Sequence, residues 1–426
     1  MCARPAAAGV CDLPGGGTLV VVPDLIAVDL PGGPAFVAAL EAIWQDGDAV
    51  LPLDPRAPRP HTEAILAAMR PAAVIGPDGT RTVLDDAVPV EPGDAVVVTT
   101  SGTTGVPKGV VHTHDSVEQA AFITSIAAGV LPQATWLACL PLSHVGGLSV
   151  VTRALHTGTG LVVHDRAEPG AIDRARREGA THVSLVPTLL GRVDPAGWHT
   201  ILLGGSAIPA DRPSNSIATY GMTETFGGVV YDGLALTGVG MRIDLPPGST
   251  EHVGPIQLRS PSLLRAYRDG SDPHGHDPVG QDGWFRTGDL GSVDPETGRL
   301  SVMGRADDLI ISGGEKVWPG PVEQVLRRDP RVHEVAVIGR PDREWGQRVV
   351  AVVVPRDPGD PPQLDTLRGL AREQLPVAAA PKELELVDSL PRTALGKIRR
   401  TLLSDGPAVA DGTSHPGAHP ERPHDD

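Results

Sequence analysis

The chain has 426 residues with a formal net charge of −16 at pH 7, and 40% of its residues are hydrophobic. This apolar content excludes a wholly disordered chain, and the length predicts more than one structural unit. The acidic balance argues against general nucleic-acid binding or docking to an anionic membrane. The three cysteines lack metal-ligand spacing, and no signal peptide or apolar span is recognised, so we expect a reducing cytoplasm.

Predicted helices alternate with short apolar strands over most of the chain, which indicates layered α/β structure. After Gly304 the pattern changes to that of a compact α+β unit. We expect a flexible N-terminus at 1–17, a large domain at 18–305, a small domain at 306–404 and a disordered tail at 405–426. Helices are predicted at 36–44, 62–69, 115–130, 319–328 and 363–375, and strands at 49–53, 72–75, 95–99, 182–186, 200–203, 256–259, 335–338 and 348–354.

A Gly/Thr-rich loop follows the predicted strand 95–99 and reads TTSGTTGVPKG from Thr99 to Gly109. Glycines permit tight turns with N–H groups pointing inward, so such a loop can hold a polyphosphate. Lys108 adds mobile positive charge and is one of only four lysines in the chain. The loop is not a Walker A loop, because Gly109 follows Lys108 in place of Ser or Thr. A plain Gly-rich hairpin is the structural alternative.

Six further segments follow this loop in a fixed order. They are LPLSHVGG (140–147), LGGSAIP (203–209), YGMTET (220–225), WFRTGDLG (284–291), GRADDLI (304–310) and PRTALGKI (391–398). Together the seven segments resemble the adenylate-forming superfamily of acyl- and aryl-CoA ligases, luciferases and nonribosomal peptide adenylation domains. The resemblance implies a large layered α/β N-terminal domain and a small mobile α+β C-terminal domain, with a hinge at Asp307.

The resemblance also implies a reaction in which a carboxylate attacks the α-phosphate of ATP, after which the acyl group passes to CoA. Two anions must meet, so cations and oriented donors must offset their repulsion. The implied assignments are Thr100, Ser101, Gly102, Thr103, Thr104 and Lys108 at the β- and γ-phosphates, Thr223 at the α-phosphate, Glu224 at Mg²⁺, Gly205, Ser206 and Tyr220 at adenine, Asp289 and Arg305 at the ribose, and Lys397 between the substrate carboxylate and the α-phosphate.

Two further sets of residues are implied for the other substrates. His144, Gly146 and Gly147 would line the acyl pocket, and Gly313, Gly314 and Trp345 would contact CoA. Plain structural alternatives exist: Glu224 as a solvated loop acid, Asp289 as a turn residue, Lys397 as a surface lysine, and His144 and Trp345 as packing residues. No carrier-protein motif follows the last segment, which favours free CoA as the acceptor.

Within the superfamily the sequence resembles the o-succinylbenzoate–CoA ligases of menaquinone biosynthesis, in their short actinobacterial form. The segment GGVVYDG at 227–233 carries this resemblance most specifically. A dianionic acid needs a second cation, for which Arg153 is a candidate.

One alternative is an aryl- or acyl-acid ligase of a secondary-metabolite pathway, with CoA or another nucleophile as acceptor. Another is a non-catalytic module that senses nucleotide or CoA. Partners would be small molecules, without nucleic acid or membrane, and a homodimer is left open.

The sequence departs from the superfamily pattern between Pro209 and Tyr220, where only ten residues replace the usual helix and strand. Pro213 and the neighbouring Ser and Asn residues disfavour a helix there. We expect the strand to survive at 216–220. The adenine side and the wall of the acyl pocket are therefore where the chain is expected to differ.

Overall fold

The computed structural model describes residues 11–12, 18–19, 22–101, 107–206, 208–209, 211–250, 252–268, 278–280, 282–392 and 398–404. These residues fall into two compact units, with the boundary between Asp307 and Asp308. The predicted tail at 405–426 and most of the predicted flexible N-terminus lie outside the described residues. None of the helices in the described part has the length and apolar content needed to cross a bilayer.

The first unit contains six α-helices within its described residues: α1 (Pro34–Gln45), α2 (Arg59–Met69), α3 (His114–Ala127), α4 (Val145–Thr157), α5 (Pro169–Arg177) and α6 (Pro187–Leu190). Its strands are β1 (Cys11–Asp12), β2 (Thr18–Leu19), β3 (Leu25–Val28), β4 (Ala49–Pro52), β5 (Ala73–Ile75), β6 (Arg81–Val83), β7 (Asp94–Ser101), β8 (Pro107–Thr113), β9 (Thr135–Ala138), β10 (Gly160–Val163), β11 (His182–Leu185), β12 (Thr200–Leu203), β13 (Ser216–Met222), β14 (Gly227–Tyr231), β15 (Leu234–Ala235), β16 (Gly240–Ile243), β17 (Gly254–Arg259), β18 (Ala266–Arg268), β19 (Phe285–Val293) and β20 (Leu300–Arg305).

Two seven-stranded sheets form the centre of this unit. Their strand orders are β18-β8-β7-β4-β3-β5-β6 and β10-β9-β11-β12-β13-β14-β15, and a four-stranded sheet has the order β16-β17-β19-β20. One continuous apolar cluster joins residues of β3 and β7 to residues of α1, α3, α4 and β9, so these helices lie between the two large sheets. Separate clusters on the outer faces involve α2 on the first sheet and α5 on the second. This layering confirms the predicted α/β class.

The predicted helices arise from apolar residues that recur once per turn. In α1, Phe36, Leu40 and Ile43 lie on the buried face, and Pro34 begins the helix, where its missing N–H costs no hydrogen bond. The helix predicted at 115–130 is α3, His114–Ala127. The helix begins one residue earlier, because the side chain of Thr113 accepts a hydrogen bond from the Ser116 N–H group.

The shortened segment runs from β12 to β13, and its described part contains no helix. The strand after it survives as β13, which pairs in parallel with β12 through Ile201–Leu203, as predicted. Arg212 donates to the Ser216 carbonyl and, at 2.6 Å, to the Asp232 carboxylate. The Asn215 amide donates to the carbonyls of Pro195 and Trp198, each at 2.9 Å. Polar side chains therefore hold the connection in place.

The second unit is an α+β structure. Its helices are α7 (Pro319–Leu326), α8 (Leu364–Gln374) and α9 (Thr401–Ser404), and its strands are β21 (Ile310–Ser312), β22 (Glu315–Val317), β23 (Val332–Asp342), β24 (Gly346–Pro355) and β25 (Glu383–Leu386). The sheet order is β22-β21-β24-β23, and β25 pairs in parallel with β24. An apolar cluster joins one face of the sheet to α7 and α8.

Candidate active site

The Gly/Thr-rich loop connects the antiparallel strands β7 and β8. Thr100 pairs with Lys108 across these strands, and the Thr100 hydroxyl is 3.5 Å from the Lys108 carbonyl oxygen. The predicted loop thus connects two paired strands, and Lys108 is the second residue of the strand that follows it. Gly102, Thr103, Thr104 and the side chain of Ser101 lie outside the described residues, so their phosphate contacts stay predictions.

Lys108 lies beside Glu224, although the two are far apart in the sequence. Both contact Tyr267: the Lys108 Nζ atom is 3.1 Å from the centroid of the tyrosine ring, and the tyrosine hydroxyl donates to Glu224 Oε1 at 2.9 Å. Burial lowers the pKa of Lys108, and the negative charge of Glu224 opposes that shift. A cation and a carboxylate are therefore brought together around Tyr267, and their roles at the phosphates and at Mg²⁺ stay predictions.

A hydrogen bond from His112 holds the turn that carries Thr223 and Glu224. The His112 Nε2 atom is 2.7 Å from the Thr223 carbonyl oxygen, and its Nδ1 atom is 3.3 Å from the Ser116 hydroxyl. Burial lowers the pKa of His112 to about 4, so the ring is neutral at pH 7 and can donate to the carbonyl from Nε2. Phe226 packs edge-on against the imidazole and has φ +52, a left-handed conformation that is rare for a bulky residue.

A second polar group joins β13, β19 and β20. The Tyr220 hydroxyl donates to Asp289 Oδ2 at 2.8 Å, and Arg305 Nη1 lies 3.4 Å from Asp289 Oδ1. Burial, together with the charge of Asp289, raises the pKa of Tyr220, so the hydroxyl keeps its proton. Gly205 and Ser206 follow β12, the strand that pairs with the Tyr220 strand. Asp289 therefore contacts two residues that were predicted from separate motifs, Tyr220 and Arg305.

The predicted acyl-pocket residues lie where α4 begins. His144 is the residue before the helix, and burial lowers its pKa while the charge of Asp54 opposes the shift. A Cβ atom on Gly147 would lie 2.3 Å from the Leu140 carbonyl oxygen, whereas one on Gly146 would meet only a leucine methyl group at 3.4 Å. Glycine at 147 therefore lets the LPLSH segment fold back on the helix.

Arg153, on the same helix, is buried. Its Nε atom donates to the Thr124 hydroxyl at 2.9 Å, and its guanidinium carbon lies 4.5 Å from the centroid of the Trp136 ring. Its Nη1 atom has no hydrogen-bond partner among the described residues. A buried arginine with a free donor is a costly arrangement unless a ligand or water uses that donor.

In the second unit, the structure brings together the two segments predicted to contact CoA. The Gly313 N–H group donates to the Trp345 carbonyl at 2.8 Å, and a Cβ atom on Gly313 would lie 2.9 Å from the Trp345 ring. Trp345 is 37% exposed, and Lys382 Nζ lies 4.2 Å from the centroid of its ring. Asp307 lies in the 3-10 turn Ala306–Asp308, next to the boundary between the units. Lys397 lies outside the described residues.

Sequence reasoning missed Tyr267 and His112. Tyr267 is one of only three tyrosines and occurs in the run LLRAYR, as the middle residue of the short strand β18. His112 interrupts the apolar run of β8, four residues after Lys108. For His112, the available signal was a single polar ring in a buried strand close to the phosphate loop. The contact of Tyr267 with Lys108 depends on the pairing of β18 with β8, which the sequence does not show.

Comparison with known proteins now decides the family. Residues 79–257 match the model of the AMP-binding enzymes, and residues 321–397 match the model of the AMP-binding enzyme C-terminal domain. The chain belongs to the AMP-binding enzyme family. The resemblance predicted from the seven segments is confirmed, and so is the class of AMP-forming acid–CoA ligase.

Among the curated relatives of this AMP-binding enzyme, two are 36% identical to it over the aligned residues. One is the probable 2-succinylbenzoate–CoA ligase of Mycobacterium tuberculosis, aligned over 406 residues that cover 88% of this chain and 97% of the relative. The other is the indoleacetate–CoA ligase of Aromatoleum aromaticum, aligned over 362 residues that cover 74% and 68%. The predicted resemblance to o-succinylbenzoate–CoA ligases is thus matched by a relative of nearly full length.

Among solved structures, the o-succinylbenzoate CoA synthetase MenE of Bacillus subtilis matches this AMP-binding enzyme over most of its length. Its complex with the acyl-adenylate intermediate OSB-AMP gives a TM-score of 0.79 at 27% identity, covering 90% of this chain and 88% of that one. The same protein in complex with ATP and magnesium ion gives a TM-score of 0.77 at 27% identity, covering 89% of each chain. The predicted two-domain fold is therefore confirmed.

Proposed function

We propose that the protein converts o-succinylbenzoate, ATP and CoA to o-succinylbenzoyl-CoA, AMP and pyrophosphate, in menaquinone biosynthesis. The observation that carries the proposal is the meeting of Lys108 and Glu224 at the mouth of the Gly/Thr-rich loop. Such a site offers a mobile cation to the β- and γ-phosphates and a carboxylate oxygen to a hard metal ion. The near-full-length likeness to the probable 2-succinylbenzoate–CoA ligase supports the choice of acid.

In the first step, a carboxylate oxygen of the acid attacks the α-phosphorus of ATP, and the bond to the β-phosphate oxygen breaks to release pyrophosphate. Thr223 would contact the α-phosphate from the turn held by His112. Lys397 would offset the charge that develops between the carboxylate and the α-phosphate. A positioned cation of this kind lowers the barrier because it stabilises the transition state more than the separate substrates.

Asp289 would bind the ribose hydroxyls. Its carboxylate already accepts from Tyr220 and lies beside Arg305, so both of its oxygens have a fixed direction. Tyr220, with Gly205 and Ser206 on the neighbouring strand end, would form the side of the site that faces adenine. A preorganised carboxylate needs little reordering when the nucleotide arrives, which favours tight and specific binding.

Glu224 suits a magnesium ion that arrives with the nucleotide. Within the described residues, no group of three His, Cys, Asp or Glu side chains could form a protein-only metal site. Magnesium is commonly held by one or two carboxylates with phosphate oxygens and water as the remaining ligands, so a single glutamate fits. The ion would supply charge neutralisation at the phosphates when it is bound.

In the second step, the thiol of CoA would attack the acyl carbon, and the bond from that carbon to the AMP oxygen would break while the thiol proton leaves to solvent. Gly313, Gly314 and Trp345 would guide the thiol arm, since Trp345 is partly exposed and its ring lies against Gly313. A hinge at Asp307 would exchange the Lys397 face for this thiol channel between the two steps. The position of Asp307 beside the unit boundary supports that assignment.

The acid itself carries two carboxylates, and Arg153 is our candidate for the second one. Its free Nη1 donor and its burial support the assignment, because a desolvated guanidinium binds a carboxylate strongly. The likeness to the indoleacetate–CoA ligase favours one alternative, an aryl monocarboxylic acid as substrate. A monocarboxylic acid would leave Arg153 without an ionic partner.

One incubation tests the proposal. Purified protein is mixed with ATP, Mg²⁺, CoA and o-succinylbenzoate, and AMP and thioester are measured by mass spectrometry, with indole-3-acetate as the matched competing acid. We expect o-succinylbenzoyl-CoA and an equal amount of AMP, and no product from Lys397→Ala. Thioester from the competing acid alone would overturn the choice of substrate, and AMP without thioester would overturn CoA as the acceptor.

A further inference from the structure

Tyr267 contacts both charged residues at the mouth of the phosphate loop, through two different parts of its side chain. The ring face receives the Lys108 ammonium group, 3.1 Å from the ring centroid, and the hydroxyl donates to Glu224 Oε1 at 2.9 Å. We propose that Tyr267 is a positioning residue for the adenylation step, which orients Glu224 toward the metal–nucleotide complex and keeps Lys108 from neutralising it beforehand. This inference rests on the proposed function, since it needs Glu224 to act at the metal.

The separation of the two charges is the first reason for this role. An ammonium and a carboxylate at a partly buried site attract each other strongly, and a direct pair would occupy the groups that must bind phosphate and metal. The described residues contain no direct ion pair between Lys108 and Glu224. Instead the tyrosine ring holds the ammonium by a cation–π contact, which is weaker than an ionic bond to phosphate. Lys108 can therefore leave the ring when a polyphosphate arrives.

The orientation of the carboxylate is the second reason. The Tyr267 hydroxyl donates to Glu224 Oε1 at 2.9 Å, because an ionised carboxylate can only accept. A carboxylate has two oxygens, and a donor fixed on Oε1 leaves Oε2 for a cation. A single neutral donor orients the group without removing its charge, whereas a lysine in the same place would compete with the metal.

The backbone reinforces the same contact. The Leu264 N–H group donates to the Glu224 carbonyl at 2.8 Å, three residues before Tyr267. The strand β18 then pairs with β8, where Tyr267 lies opposite Val110 and two residues from Lys108. One short segment thus holds the main chain of Glu224, its carboxylate and the ammonium of Lys108. This arrangement makes the Tyr267 position a link between the phosphate loop and the Glu224 turn.

Binding of a nucleotide that cannot react tests the role apart from catalysis. The α,β-methylene analogue of ATP is titrated by calorimetry into wild type, Tyr267→Phe and Tyr267→Leu, with Mg²⁺ and with EDTA. We expect Tyr267→Phe to lose about tenfold in affinity with Mg²⁺ and nothing with EDTA, because the ring remains and only the donor to a charged group is lost. Tyr267→Leu should weaken binding in both conditions, since Lys108 is then free to pair with Glu224.

Tyr231→Phe is the matched control, because it also removes a hydroxyl from a buried tyrosine but lies in β14, away from Glu224. It should bind the analogue as wild type does, and thermal melts show that each variant is folded. Equal affinities of wild type and Tyr267→Phe in both conditions would overturn the inference. Absence of magnesium-dependent binding in the wild type would instead overturn the proposed function, and the inference with it.

Discussion

The imidazole of His112 and the main-chain carbonyl of Thr223 are joined by a 2.7 Å hydrogen bond that fixes the metal-side turn to the strand leaving the phosphate loop. The ring is fully buried, and the protein environment holds the pKa of His112 at about 4, against an ordinary value of 6.5. This makes the stability of the fold sensitive to acid in a way that one substitution can isolate.

We expect His112→Gln to reduce the loss of stability on acidification. The unfolded chain binds a proton at His112 below pH 6.5, but the folded chain does so only near pH 4, so stability falls as the pH drops through this window. Between pH 7.5 and pH 5 the contribution is about 2 kcal/mol. Urea unfolding of wild type and variant at the two pH values measures it. An equal drop in both proteins would contradict the prediction.

Tyr220→Phe should reduce the affinity for ATP about tenfold, because Asp289 loses a fixed donor and turns more freely. Since burial raises the pKa of Tyr220, its hydroxyl does not ionise in the working range. The difference between wild type and variant should therefore be constant from pH 6 to pH 9. Calorimetric titration with the nucleotide measures both. A difference that disappears at pH 9 would show that Tyr220 ionises there.

Gly313→Ala should impair thioester formation more than adenylation. The new methyl group would lie 2.9 Å from the Trp345 ring and displace it, and φ at this position is +62. Gly298→Ala is the matched control, because φ there is +68, nothing lies within 4 Å of the added carbon, and the residue has no proposed part in binding. Pyrophosphate exchange reports adenylation, and thioester is measured separately. Equal effects of the two variants would mean that backbone strain, and not contact with Trp345, is responsible.

Gly147→Ala should destabilise the start of α4 by about 2 kcal/mol or more, since the added carbon meets two rigid backbone carbonyls, of Leu140 and Pro141. Gly146→Ala should cost little, because only a flexible leucine methyl group lies near. Chemical denaturation compares the two. We also expect Gly147→Ala to raise the KM for the acid, as the LPLSH segment must move. Similar stabilities would contradict the contact.

Asp307→Pro should slow thioester formation while adenylation continues. Proline fixes φ and removes an N–H group, so a backbone rotation centred on this residue is blocked. Asp307 is the last residue of the first unit before the boundary at Asp308, which is why the proposed rotation is tested there. Single-turnover measurements of acyl-adenylate and of thioester separate the steps. Equal loss of both would count against domain alternation.

Much of the fold could be predicted because local periodicity determines it. The valine-rich run of β7 and the once-per-turn apolar residues of α1 are buried as their patterns indicate. The surviving strand after the shortened segment was also predictable, since Pro213 and the polar residues around it disfavour a helix. The cap of α3 was not, because Thr113 and Asp115 are both good caps and tertiary pairing of β8 decides between them.

The site was predicted unevenly for a similar reason. Tyr220, Asp289 and Arg305 could be found because each lies in a motif with a recognisable spacing. Tyr267 and His112 could not, since their importance depends on contacts that are distant in the sequence, 43 positions for Tyr267 with Glu224 and 111 positions for His112 with Thr223. A motif identifies which residues can meet a ligand, but the side chains that orient them are set by the register of strands. That register becomes visible only in three dimensions.

The connection between β12 and β13 shows how short a crossover this fold can accept. Parallel strands need a crossover, and a helix usually both spans the distance and shields the sheet. Here Arg212 and Asn215 anchor the crossover to carbonyl and carboxylate oxygens, with little apolar burial. Such a fold can therefore join these two strands without a helix in the described part of the crossover, because a few side-chain hydrogen bonds keep the strand that bears Tyr220 in its place.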